Sequence, residues 1–98
     1  MKSKIKEYKN LIVPIIVKHL PKVRIILYGS RAHGDWGGGS DIDIALDLGR
    51  KIDSAILSNI IGDIEESILP IKFDIVDFHN VSEEMRQEIL KNGIQWQE

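Results

Sequence analysis

The sequence predicts a single α/β (α+β) domain over residues 1–98, and three observations lead to it. A chain of 98 residues fits one domain and leaves no room for a second. Segments with apolar residues at three- and four-residue spacings alternate with short segments rich in β-branched residues. Hydrophobic residues make up 43% and charged residues 29%, the balance of a folded, water-soluble domain rather than a disordered or membrane-spanning one.

Each element has a local reason. Ser3 to Leu20 carries Ile5, Tyr8, Ile12, Ile15, Ile16 and His19 at helical spacing, and Pro14 is expected to kink or restart that helix. After Pro21, Val23 to Tyr28 reads as a buried strand ending at Gly29. Gly29 to Ser40 holds five of the eight glycines, a loop built for close backbone approach. Asp41 to Leu46 alternates as Asp-Ile-Asp-Ile-Ala-Leu, sending Asp41 and Asp43 to one face and Ile42 and Ile44 to the other.

Asp53 caps a helix running to about Leu69, with Ile56, Ile60, Ile64 and Ile68 as its buried stripe and Pro70 as its stop. Ile71 to Phe78 forms a third strand, with Asp74 and Val76 on one face and Phe73, Ile75 and Asp77 on the other. Ser82 is the N-cap of a last helix that Gly93 ends, after which Ile94 and Trp96 fold back onto the core. The expected order is helix, strand, glycine loop, then strand, helix, strand, helix.

Composition narrows the function. Thirteen basic against 15 acidic residues leave a net charge of -2, which speaks against long nucleic acid as a partner. Without cysteine there are no disulfides or thiolate metal sites, so a bound metal is expected to be hard. The longest apolar run, Leu11 to Val17, contains Pro14 and is far shorter than a bilayer span, and Lys6, Glu7 and Lys9 interrupt any signal-peptide pattern. A cytoplasmic protein with no membrane contact is expected.

The chemistry concentrates between Gly29 and Asp43. Carboxylates two residues apart on a strand lie about 7 Å apart at Cα, close enough to converge on one cation. Mg²⁺ suits them, because it takes hard oxygen ligands and is commonly shared between carboxylates and substrate phosphates. The glycine loop supplies backbone N–H groups for a phosphate. Asp35 and Trp36 stand where a P-loop needs Lys and Ser or Thr, and no dinucleotide-binding glycine pattern occurs.

Gly29-Ser30, ten residues, then Asp41-Ile42-Asp43 resembles the signature of the minimal nucleotidyltransferases of the polymerase beta superfamily. Asp74, in Phe-Asp-Ile-Val-Asp after an intervening helix, stands where that family carries its third carboxylate. The resemblance implies a nucleotidyltransferase fold, a mixed sheet flanked by helices, that binds ATP and Mg²⁺, with two ions expected. It implies that Gly29 and Ser30 hold the terminal phosphates, that Asp41 and Asp43 bind metal, and that Asp74 completes the site as a metal ligand; its place on the neighbouring strand adds the expectation that Asp74 is the general base or the orienter of the acceptor hydroxyl. Arg31 is divided evenly between a phosphate contact and a surface ion pair. Many relatives carry a fixed positive charge where this chain has His33, so no catalytic role is given to His33.

At this size the resemblance implies a separate partner, a helical HEPN-type toxin, with this chain as antitoxin in a homo- or hetero-oligomer. The leading expectation is transfer of AMP from ATP to a hydroxyl of the toxin, a tyrosine in some relatives. The alternatives are a non-catalytic binding antitoxin, and nucleotidyl transfer to a small molecule such as an aminoglycoside-like antibiotic. Elsewhere plainer roles are expected: Asp77 exposed or capping, Asp47 a strand-end charge, His79 a loop residue, His19 the polar edge of its helix. Trp36 is expected to serve a partner or the packing of its loop.

Overall fold

The structure is a computed structural model that describes residues 2–29, 42–68 and 72–97. Its elements are α1 (Lys2–His19), β1 (Arg24–Tyr28), β2 (Ile42–Asp47), α2 (Ser54–Ile68), β3 (Phe73–Asp77), a short 3₁₀-helix (Phe78–Asn80), α3 (Glu83–Asn92) and β4 (Ile94–Gln97). The strands form one mixed sheet in the order β3-β2-β1-β4. β2 and β3 are parallel, joined by the α2 crossover that parallel neighbours require, and β1 is antiparallel to both β2 and β4. No helix among the described residues is long and apolar enough to cross a membrane.

Alternation along the strands splits the core in two. Ile25, Leu27, Ile42, Ile44, Leu46 and Ile75 point to one face, where Ile12 and Ile16 of α1 and Ile60 and Ile64 of α2 pack on them. Ile60 and Ile64 of α2 are therefore core, with Ile56 packed against them, and truncating a fully buried member such as Ile60 should cost about 2–5 kcal/mol. On the other face Ile26, Tyr28 and Ala45 pack against Phe78 and against Ile89 of α3. His19 bonds Asp63 at 2.7 Å, tying the end of α1 to α2.

Three expectations are refined. Helix α1 runs through Pro14 without a restart. Pro14 and Asn10, whose carbonyl loses its helical donor, are both on the exposed side, where water can take the missing partner's place. Gly93 ends α3 as expected, its N–H bonding the Ile89 carbonyl, but with φ -77° rather than the left-handed conformation of a glycine cap. Its lack of a side chain answers a packing need instead, since a Cβ would collide with Ile26 Cγ2 and with the Ile89 carbonyl. The segment after it is a true strand, β4, with Trp96 buried and Ile94 47% exposed, so only the tryptophan returns to the core.

The caps follow the sequence. Ser82 Oγ accepts from the Met85 N–H at 3.1 Å with Glu83 and Glu84 in the first turn, and Asp53 Oδ1 accepts from the Ala55 N–H at 2.8 Å. The stop at Pro70 lies outside the described residues.

Candidate active site

Strand register assembles the site. Tyr28 of β1 is the Cα partner of Asp43 on β2, and Asp43 is the partner of Asp74 on β3, so the three residues form one row across the sheet. With strands about 4.8 Å apart, the carboxylates of Asp43 and Asp74 stand side by side on one face. The residues flanking Asp43, Ile42 and Ile44, are buried on the opposite face, which fixes the carboxylate outward. Asp43 is half-buried and Asp74 exposed, so the pair opens to solvent at the end of the sheet where β1 runs out.

Gly29 closes β1 at φ +79°, a conformation that favours glycine. The absent side chain has a second use, because a Cβ at Gly29 would run into Asp43 Oδ2. The carboxylate thus lies directly over the glycine. Tyr28 registers the electrostatics of the row: burial pushes its phenol up to about 12, helped by the negative charge of Asp43 and then of Asp74. The phenol is un-ionised at neutral pH.

Two adjacent, outward carboxylates repel one another and are all-oxygen donors, which fits a hard divalent cation such as Mg²⁺. Among the described residues no group of three or more His, Cys, Asp or Glu side chains converges, so Asp43 and Asp74 are the described part of the acidic set. Asp41, Ser30 and Arg31, together with His33 and Trp36, lie outside the described residues.

The remaining acids have structural work. Asp77 faces away from Asp74 and is 6% exposed, not a surface charge. Its Oδ2 accepts from the Ile52 N–H at 2.8 Å and its Oδ1 from the His79 N–H at 3.0 Å, so it caps the 3₁₀-helix and anchors the segment entering α2. At the far end of the acidic face, about 13 Å along β2 from Asp43, Asp47 gathers three partners. Arg24 Nη2 donates at 2.8 Å, the Gly49 N–H at 2.9 Å, and His79 Nε2 lies at 2.6 Å. Burial alone would raise the Asp47 carboxyl, but the Gly49, His79 and Arg24 contacts outweigh it and hold it below the ordinary carboxylate range.

Sequence reading missed Tyr28, which it took only as the end of a strand, and the Asp47–His79 pair. The signal for Tyr28 was its place just before the glycine, from which antiparallel return sets it opposite the Asp-x-Asp strand. His79 and Asp47 are 32 residues apart and nothing local links them.

The polymerase beta nucleotidyltransferase family model matches residues 10–96. No curated protein matches the chain. Among solved structures, a chain of a toxin–antitoxin complex with AMP-PNP is 27% identical, with a TM-score of 0.76, over 90% of this chain and 71% of that one. A tri-AMPylated Shewanella oneidensis HEPN toxin in complex with MNT antitoxin gives a TM-score of 0.72 at 24% identity, over 93% and 70% of the two chains. An MntA–HepT toxin–antitoxin structure gives 0.71 at 24%, with the same coverage of 93% and 70%. The last two show a shared fold. The match over residues 10–96 makes the chain a member of the polymerase beta nucleotidyltransferase family, and its activity is nucleotidyl transfer. Its similar structures include MNT antitoxins in complex with HEPN toxins.

Proposed function

We propose that residues 1–98 act as one domain that transfers AMP from ATP to a hydroxyl, a tyrosine, of a helical HEPN-type toxin, and thereby serve as its antitoxin. The register pairing of Asp43 with Asp74 beside Gly29 carries this reading, because it brings two sequence-distant carboxylates together at a glycine turn. The likeness to antitoxin complexes, one with AMP-PNP and one with an AMPylated toxin, supports the choice of nucleotide and acceptor.

In this reading Gly29, Ser30 and Arg31 hold the phosphates of ATP, and Asp41, Asp43 and Asp74 hold two Mg²⁺ ions. When bound, Mg²⁺ lowers the pKa of the acceptor hydroxyl and neutralises charge on the phosphates. The acceptor oxygen bonds to the α-phosphorus as the bond to the bridging oxygen of pyrophosphate breaks. Asp74, exposed at the edge of the row, takes the acceptor proton.

Label transfer from α-phosphate-labelled ATP with Mg²⁺ into a host lysate tests the reading. A protein band should appear with the wild type and vanish with an Asp41→Asn, Asp43→Asn double variant. Binding of Mg-ATP without any labelled protein would instead favour occlusion by a non-catalytic antitoxin or a small-molecule acceptor.

A further inference from the structure

We propose that the outer edge of β4 is a self-association surface, where a second copy of this chain adds its own β4 antiparallel to the first and makes one continuous sheet. The inference concerns assembly and stands apart from the roles given to the acidic pair.

Three observations point to it. β4 ends the strand order, and among the described residues no backbone hydrogen bond joins it to an element other than β1, so one side of its backbone is left for another strand. Ile94-Gln95-Trp96-Gln97 carries no charge, whereas β3 at the opposite edge carries Asp74 and Asp77, and charge on an edge strand is what resists pairing. Of the three exposed large hydrophobic side chains among the described residues, two flank this edge, Ile94 at 47% and Leu90 at 53%. They lie on opposite faces: Ile94 is the register partner of Leu27, under α1 and α2, while Leu90 lines a groove on the α3 face with Ile26, Gly93 and Gln95.

The occupant follows from these placements. A strand edge is completed by another strand, main chain to main chain. Two antiparallel copies of β4 are related by a two-fold axis normal to the sheet, so each offers the other the same patch and the assembly closes. That axis keeps each face on its own side, so both copies of Leu90 gather on one face and both copies of Ile94 on the other, and apolar surface leaves water on both. Pairing β4 with the copy's β3 would instead be head-to-tail, would not close, and would meet the charged edge. The register shift between Ile25 and Ile26, which leaves Trp96 without a partner on β1, keeps the ladder short, so the dimer is concentration-dependent rather than obligate. β3 is then outermost at both ends, seven strand spacings or about 34 Å from its copy, and both acidic pairs stay open.

Sedimentation of the full chain over a concentration series, without metal or nucleotide, should show the mass double as concentration rises. Hydrogen exchange in the same series should slow at the β4 amides and stay unchanged in α2 and β3. Ile94→Lys replaces an exposed side chain and charges the edge; it should hold the mass at one copy, with the melting temperature of the dilute protein little changed. A wild type that stays monomeric at every concentration would overturn the proposal. So would a dimer whose β4 amides exchange as fast as in the monomer, an outcome that needs no variant and places the contact elsewhere. Protection of β4 only on adding a HEPN-type toxin would assign the edge to that partner and overturn the proposal as well.

Discussion

The Asp43 carboxylate lies over Gly29, in the space that a side chain at that position would fill. The glycine therefore does two things at once: it takes up φ +79° at the end of β1, and it clears room for an acidic side chain of β2. Gly29→Ala combines backbone strain with a collision. It should cost about 1–3 kcal/mol of stability and lower nucleotidyl transfer further than that loss explains. Denaturant unfolding and a transfer assay on the folded fraction would separate the two effects.

Asp74 is exposed on an edge strand, so the proposed reading gives it a chemical role rather than a structural one. Asp74→Asn should keep ATP binding while reducing transfer by about 10²–10⁴-fold, the range for loss of a general base. Nucleotide binding by calorimetry beside a transfer assay checks this, and equal loss of both would count against the assigned role. Because the substitution relieves repulsion from Asp43, the metal-free variant should melt no lower than the metal-free wild type.

Asp47 contributes to the pH dependence of stability. Its carboxyl titrates below the ordinary value in the folded chain, so its contribution is fully present above that ordinary value and is lost as pH falls through the depressed folded value. Asp47→Asn should be destabilising at neutral pH, by about 1–3 kcal/mol for disrupting hydrogen bonds to a charged group. The gap to wild type should close in acid. Thermal melts of both proteins from neutral pH down through the carboxylate range measure it.

Gly93→Ala should destabilise the fold by about 1–3 kcal/mol through overpacking against Ile26 and Ile89. A Gly49→Ala variant makes the contrast, because Gly49 has φ +85° and open space around it, so its cost is backbone strain alone. Comparing chemical denaturation of the two distinguishes packing from conformation.

Periodicity made the helices, three strands and the facing of Asp43 and Asp74 legible, because burial on one face leaves a regular trace along the chain. Asp43 could be assigned to a site from its spacing behind Gly29, and Asp74 from resemblance. What sequence does not carry is register: that Asp43 meets Asp74 directly, and Tyr28 meets Asp43, depends on how separate strands align. The same holds for Asp77, whose buried place depends on an amide at Ile52 that no local pattern connects to it. Strand β4 escaped because Ile-Gln-Trp-Gln is too short for its alternation to stand out, and Gly93 was read by residue type when its neighbours decide its role.

The most direct measurement is the intact mass of a HEPN-type partner co-expressed with this chain, wild type or carrying Asp43→Asn and Asp74→Asn. If the row of carboxylates performs nucleotidyl transfer to that partner, its mass should rise by one or more AMP groups with the wild type and stay unmodified with the double variant, on a tyrosine locatable by fragmentation. An unmodified partner in both, neutralised equally well by both, would contradict it.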